Sequence, residues 1–360
     1  MTFKHPLNLF PGIILAFVLY SFSQGINNLI GIEILGYEKS PISTAMIAII
    51  LGLILGNIFK IREGFLIGLD FTQKYILKLG IICLGIQLKP FEFIKFGSIA
   101  IPLIIICIIS VLIVIKLLIQ KLRISRGMSY LIAIGSTVCG TTAIIATAPV
   151  INAKKSEITY AIANMTVFGI LAMLIYPYFA NFYFDGSPLF VGLFLGTAIH
   201  ETSQVAAAGL IYDQQFNSPE TLNIATVTKL IRNTFLVIMI PLFAYLYNRG
   251  QNHAKNYSIV NIFPYFVLGF IALIILRNLG DVFFLQTNLA GKEMWIEFVN
   301  LIKSSAKIFL SMSMAAVGLS TNLKDLKSMG YKPFIVGFVS LLTVGIVSLT
   351  AIEFLSNLIF

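Results

Sequence analysis

The residues best suited to chemistry in this sequence form two short polar clusters inside apolar stretches. The first cluster contains the candidate binding residues Ser136, Thr137, Cys139, Gly140, Thr141 and Thr142. Glycine and hydroxyl residues at this density favour a break in a helix. The amides that begin the next half-helix, near Thr141, then lose their backbone partners and can donate hydrogen bonds to an anion. The alternative is that these small residues only let neighbouring helices pack closely.

The second cluster lies near the middle of another apolar stretch and consists of His200, Glu201, Thr202, Ser203 and Gln204. Ionisable groups inside such a stretch are costly and indicate a functional site by default. The ordinary pKa of histidine lies near neutral pH, so His200 can exchange protons. The alternative is that His200 and Glu201 only form hydrogen bonds to a neighbouring helix.

Three further polar residues complete the candidate binding set. Lys229 and Arg232 are separated by one helical turn and therefore share a helix face. They either neutralise an anionic substrate, extend to the membrane interface, or pair with Glu201. Asn164 is either a ligand for a substrate or ion, or a partner in a hydrogen bond between helices.

A stripe of charged residues is better explained by structure than by chemistry. Asp70, Lys74 and Lys78 recur every fourth residue, and Lys303 and Lys307 occupy a similar position in a later stretch. This spacing favours a ladder of ion pairs near the interface over a transport path. The sequence contains no HExxH, GxSxG, P-loop or paired catalytic carboxylates, so we expect no ordinary enzyme activity.

The composition indicates which elements position these residues. Of the 360 residues, 58% are hydrophobic and 11% are charged, with a mean hydropathy of +0.93, whereas a soluble domain carries about 25% charged residues. The chain therefore cannot cover a water-exposed fold. Apolar segments long enough for a bilayer recur near 11–30, 42–59, 66–88, 97–119, 128–151, 158–181, 189–212, 222–247, 259–277, 296–321 and 333–357.

These segments predict an all-α integral membrane protein, a polytopic helical bundle of about nine to eleven transmembrane segments. We expect one transmembrane domain over 1–360, because the connections are short. The net charge of +10 comes from Lys and Arg in short loops, which indicates cytoplasmic loops in a lipid bilayer and no nucleic-acid partner. If every segment crosses, Lys154 and Asp185 fall on disfavoured sides. Re-entrant fifth and seventh segments would correct both, and the two topologies remain open.

No metal site or cofactor is predicted. Cys83, Cys107 and Cys139 lie inside apolar segments, too far apart for a CxxC pair and without a histidine at ligand spacing. We therefore expect neither a disulfide nor a structural zinc ion.

Two internal similarities suggest an inverted repeat. Residues 74–97 share the spacing of their lysine and glycines with 307–330, and residues 135–142 resemble 196–203. The first pair occurs in segments of opposite predicted orientation. Inverted repeats with glycine-interrupted helices in corresponding positions are typical of secondary transporters. Chance similarity between apolar sequences of restricted composition is the alternative.

An ordered set of motifs over nearly the whole chain resembles the YeiH-type sulfate exporter family, whose members are bacterial inner-membrane proteins. The motifs are Leu84-Gly85-Ile86-Gln87-Leu88-Lys89-Pro90, Cys139-Gly140-Thr141-Thr142-Ala143-Ile144 with Ala148-Pro149-Val150-Ile151, Gly196-Thr197-Ala198-Ile199-His200-Glu201 through Gln204-Val205-Ala206-Ala207-Ala208-Gly209, and Lys229-Leu230-Ile231-Arg232-Asn233. The resemblance implies a multi-pass protein of the bacterial cytoplasmic membrane.

The glycine-and-leucine turn that follows the apolar segment 66–88 and the Cys-Gly-Thr-Thr stretch are more distantly similar to the bile acid:sodium symporter superfamily. That resemblance implies an inverted-repeat fold with crossing unwound helices, a mobile core domain and a panel domain. It places the first broken element at Cys139 to Thr142 and the second at His200 to Gln204. The repeat order departs from that superfamily, because the partner of 74–97 follows the second broken element. Sodium coupling is not implied, since the corresponding acidic and amide ligands are missing.

These observations predict a secondary transporter for a small anion such as sulfate, sulfite or a sulfonate. The anion would lie between Thr141–Thr142 and His200–Gln204, with Lys229 or Arg232 supplying positive potential. Transport would use alternating access and a coupling ion, either a proton or sodium. An anion channel is the main alternative, and an enzyme using His200 and Glu201 as acid and base is less favoured. Whether the chain forms a homodimer remains open.

Overall fold

A computed structural model describes residues 9–34, 43–59, 61–122, 124–248, 265–286, 291–321 and 331–359, which are helical almost throughout and contain no strand. The α-helices are α1 Phe10–Asn28, α2 Thr44–Ile58, α3 Glu63–Phe71, α4 Leu77–Leu84, α5 Pro90–Leu122, α6 Arg126–Thr137, α7 Thr141–Thr147, α8 Lys155–Tyr183, α9 Pro188–Ala198, α10 Thr202–Phe216, α11 Pro219–Thr234, α12 Leu236–Asn248, α13 Phe266–Gly280, α14 Lys292–Ser320 and α15 Tyr331–Ile359. Short π-helical segments are Leu29–Ile34, Thr72–Ile76 and Asp281–Gln286, and Gly85–Gln87 is a 3-10 turn.

Six helices of the described chain are long and apolar enough to cross a membrane: Phe10–Asn28, Pro90–Leu118, Ser156–Tyr183, Pro219–Tyr247, Phe266–Phe284 and Phe334–Ser356. Thr44–Ile58 and Pro188–Ala198 are shorter apolar helices. The prediction of an all-α polytopic membrane protein is confirmed.

The remaining predicted segments are also helical but are interrupted or charged. Segment 66–88 contains a π-helical segment, and segment 128–151 is divided between α6 and α7. Segment 296–321 corresponds to α14, which carries Lys303 and Lys307. The first residues of segment 259–277 and the last residues of the repeat 307–330 lie outside the described residues.

The first of two compact units contains the described residues within 1–94, 206–223 and 265–323. In this unit α14 packs against α2 and α4, and α1 packs against α2 and α3. Small residues permit the contact between α2 and α14. A Cβ atom added at Gly52 would lie 2.7 Å from the Ala315 carbonyl oxygen, and a Cβ atom added at Gly318 would lie 2.5 Å from the Ile49 carbonyl oxygen. Membrane helices commonly pack closely in this way because van der Waals contact replaces the hydrophobic effect in lipid.

The second compact unit contains the described residues within 95–205, 224–264 and 324–360. Here α6 and α7 pack against α8, and α15 packs against α8 and α9. The hydroxyls of Thr197 and Ser348 are 2.6 Å apart and connect α9 to α15. Both predicted helix breaks lie in this unit.

The close contact between α2 and α14 predicts that an added methyl group at Gly318 destabilises the protein, whereas the same change at an uncrowded glycine does not. Gly318→Ala should destabilise the protein by roughly 1–3 kcal/mol, because the added methyl group overpacks the contact. Gly25→Ala in α1 is the matched control, since no atom of another element among the described residues lies within 4 Å of a Cβ there. It should be neutral or stabilising by up to about 1 kcal/mol through helix propensity. Thermal unfolding in detergent measures both, and equal stability of the two variants would contradict this packing.

Candidate functional site

The first helix break separates α6, which ends at Thr137, from α7, which begins at Thr141. Gly140 has φ 60° and ψ −122°, a conformation that is readily available only to glycine. The Gly140 amide donates to the Gly135 carbonyl oxygen at 2.9 Å. The predicted break is therefore present, and its glycine is required by the backbone conformation.

The second helix break separates α9, which ends at Ala198, from α10, which begins at Thr202. Ile199 is extended, with φ −90° and ψ 135°. His200 follows and is only 3% exposed. This break was also predicted, at His200 to Gln204, from the similarity of residues 196–203 to 135–142 and from the resemblance to the symporter superfamily.

Two buried cations from α11 join the two breaks. The Lys229 ammonium donates to the carbonyl oxygens of Val138 at 3.0 Å, Ile199 at 3.0 Å, and His200. The Arg232 guanidinium donates to the carbonyl oxygens of Thr137 at 2.9 Å, Ser136 at 2.6 Å and Thr197 at 2.5 Å. Each cation therefore contacts the end of α6 and the end of α9.

These contacts satisfy carbonyl groups that the helix breaks leave without helical partners. A cation is also favourable at a helix C-terminus because of the helix dipole. Lys229 and Arg232 are both 0% exposed, so neither side chain extends to the surface. The sequence left three alternatives for them, namely an anionic substrate, the membrane interface or a pair with Glu201. In the structure their hydrogen bonds are made to the helix ends.

A carboxylate from the second break lies at the start of α7. The Thr141 hydroxyl donates to Glu201 Oε1 at 2.7 Å, and a Cβ at Gly140 would lie 3.3 Å from that of Glu201. Glu201 also lies directly before the first residue of α10, and its carbonyl oxygen accepts from the Val205 amide at 3.0 Å. An anion near helix N-termini is stabilised by the helix dipole. The chain thus places its own carboxylate where the sequence predicted a bound anion.

Several buried polar atoms near the second break lack a hydrogen-bond partner among the described residues. Neither ring nitrogen of His200 has one in hydrogen-bond geometry, although the ring lies close to the Ala198 carbonyl. Gln204 Nε2 donates to the Thr166 carbonyl oxygen at 3.2 Å, whereas Gln204 Oε1 has no partner. Such atoms are rare in native proteins and indicate a bound water, ion or ligand.

Asn233 is a residue of this region that was not included in the predicted site. It is 2% exposed, and its Nδ2 donates to the Thr202 hydroxyl at 2.9 Å. Its Oδ1 has no partner within the described chain. The signal was present in the sequence, because Asn233 lies four residues after Lys229 and so shares its helix face.

The side chains of the other predicted site residues contact their own helix or neighbouring helices of the second unit. Ser136 Oγ lies 3.7 Å from Met165 Sδ, and the Thr137 hydroxyl donates to the Ile134 carbonyl oxygen at 3.0 Å. Asn164 on α8 packs against Gly337 of α15. The remaining two are Thr142, which lies beside the Cys139 thiol, and Ser203, which is 7% exposed.

No group of three or more His, Cys, Asp and Glu side chains in the described ranges is arranged to hold a metal ion. Cys83, Cys107 and Cys139 carry free thiols. The donors at the helix breaks are hydroxyl, amide and ammonium groups, which suit an anion better than a transition metal.

Comparison with known proteins identifies the family. The model of the family described as Conserved hypothetical protein 698 matches residues 11–337. The UPF0324 membrane protein SAG1125 of Streptococcus agalactiae serotype V is 35% identical over 351 residues, which cover 97% of this chain and 98% of that protein. The UPF0324 membrane protein FN0533 of Fusobacterium nucleatum is 33% identical over 306 residues, which cover 84% and 88%. No solved structure matches the chain. The chain therefore belongs to the Conserved hypothetical protein 698 family, whose similar members are named UPF0324 membrane proteins and which is the YeiH-type family that its motifs resemble.

Proposed function

We propose that this protein is a secondary transporter that carries a small anion, such as sulfate, sulfite or a sulfonate, across the bacterial cytoplasmic membrane. The observation that carries the proposal is the meeting of two interrupted helices, joined by Lys229 and Arg232. Irregular backbone at membrane depth is tolerated only where it is buried in protein or lines a cavity. Discontinuous helices form the binding sites of many secondary transporters, which operate by alternating access.

The charges around the breaks favour an anionic substrate. Lys229 and Arg232 contribute two positive charges, and Glu201 contributes one negative charge, so the three groups together carry a formal charge of +1 when His200 is neutral. An anion bound near them balances that charge in a medium of low dielectric constant. The Thr141 hydroxyl and the amides at the start of α10 supply donors.

Glu201 gives this site a means of coupling transport to protons. Its carboxylate accepts the Thr141 hydrogen bond that a substrate oxygen would otherwise accept. Protonation of Glu201 removes the competing negative charge, so the anion binds more favourably to the protonated form. The anion and the proton would then cross together, and a proton gradient would drive accumulation.

An inverted repeat is part of the proposal. Gly85 and Gly318 occupy corresponding positions in the two similar stretches. Within the first unit, Gly85 approaches the Phe270 carbonyl oxygen of α13, and Gly318 approaches that of Ile49 in α2. The first copy of the repeat consists of α2 followed by α3 and α4, and the second copy consists of α13 followed by α14. Each of the two glycines therefore contacts a helix of the other copy, as expected of a two-fold repeat.

Removal of the donors at the breaks should impair transport. We expect Thr141→Val and His200→Ala each to lower the rate of sulfonate or sulfate uptake into liposomes by roughly tenfold or more, because a hydrogen bond to a charged group contributes about 1.5–3 kcal/mol. Thr350→Val is the matched control, since within the described chain its hydroxyl bonds to carbonyls of its own helix. Normal transport by both site variants would show that the site is assigned wrongly.

Removal of the Glu201 charge should uncouple transport from protons. Glu201→Gln imitates the protonated acid, so we expect exchange of internal for external anion to continue while accumulation driven by a pH gradient is lost. Both are measured with radiolabelled anion in the same liposomes. Glu297→Gln, an exposed residue on α14, should preserve both activities. Accumulation that responds normally to pH in Glu201→Gln would exclude this acid as the coupling group.

Removal of a capping cation should destabilise the protein. Arg232→Met leaves three buried carbonyl oxygens without their donor, and we expect a loss of roughly 3–5 kcal/mol. Arg126→Met is the control, because Arg126 also donates to helix-end carbonyls, of Leu246 and Tyr247, but is exposed. Its loss should cost less than about 1 kcal/mol. Equal melting temperatures in detergent for the two variants would contradict the capping role.

A further inference from the structure

A polar cleft in the first unit has no part in the function proposed above. It has a volume of about 280 Å³, and its lining includes Tyr20, Gln24, Thr44, Gln214, Lys307 and Ser311. The lining extends from exposed Gln24 to Ser311, which is only 1% exposed. Polar groups inside apolar helices are costly and indicate a functional site by default.

The Lys307 side chain forms an ion pair with the buried carboxylate of Asp213. Its ammonium nitrogen lies 2.8 Å from Asp213 Oδ2, and the Asp213 side chain is only 4% exposed whereas that of Lys307 is 43% exposed. The ion pair therefore has a buried anionic end and an accessible cationic end. Lys307 lines the cleft and Asp213 does not, so the ammonium is the charged group that a ligand would meet.

We propose that this cleft binds an oxyanion headgroup attached to a short apolar stem, at a site separate from the two helix breaks. The Lys307 ammonium and the hydroxyls of Tyr20, Thr44 and Ser311 can donate to the oxygen atoms. The Gln214 side-chain oxygen accepts from the Ala45 amide at 3.4 Å, and the amino group of the same side chain is a further donor. The Ile308 side chain and the Tyr20 ring provide an apolar wall for the stem.

The headgroup chemistry is shared by a small organic sulfonate and by an anionic phospholipid, and two probes distinguish them. Ethanesulfonate binding is measured by calorimetry with the full chain in lipid-free detergent. Phosphatidylglycerol binding is measured in nanodiscs by native mass spectrometry. We expect Lys307→Gln to weaken one of these by at least tenfold, and the probe affected identifies the source of the headgroup.

Three further variants keep the test independent of folding and of the transport site. Lys307→Gln combined with Asp213→Asn replaces the ion pair by two amides, so no buried charge is left unpaired, and it should lose binding to the same extent. Lys303→Gln, one turn away on α14 and outside the cleft, should bind normally. Thr141→Val should leave the Lys307-dependent binding unchanged, whether or not Thr141 contributes to transport. Binding of both probes that is indifferent to Lys307 would overturn the proposal.

Discussion

The second unit of this structure depends on hydrogen bonds to the carbonyl groups at two helix ends. Each break leaves carbonyl oxygens without helical partners, and such groups are expensive in a medium that contains no water. Lys229 and Arg232 each donate to three of these oxygens. The cations are in turn stabilised by the negative ends of two helix dipoles. Neither the breaks nor the buried charges would be stable alone.

This mutual dependence assigns different roles to the two sides of each break. The C-terminal ends of α6 and α9 are closed by cations, and because each cation contacts both ends, the breaks are held together as one body. The following helices begin at Thr141 and Thr202, beside the Glu201 carboxylate. In the proposed transporter, the hydroxyl, imidazole and carboxylate groups on that side would contact the substrate. Lys229 and Arg232 would contribute mainly through their charge and by fixing the backbone.

The sequence predicted the helical segments and the first break from local composition, whereas the second break was placed by the similarity of residues 196–203 to 135–142 and by the family resemblance. Apolar length identifies a membrane helix, and Gly140 with its hydroxyl neighbours identifies a point where a helix ends. The capping role of Lys229 was not predictable in this way, because its acceptor at Val138 is a main-chain oxygen 91 residues away. Backbone carbonyls carry no side-chain signature. Lys307 was assigned to a ladder of ion pairs, and its partner Asp213 could not be identified from spacing along one helix because it lies on a different helix.

A density map of the full chain in a lipid nanodisc would show directly whether the two cations cap the helix ends. We expect α6 to end at Thr137 and α9 at Ala198, with the Lys229 and Arg232 side chains extended to the carbonyl oxygens of both ends. A map that shows unbroken helix through Cys139 and through His200, with the two cations turned toward lipid or water, would contradict the capping of the breaks.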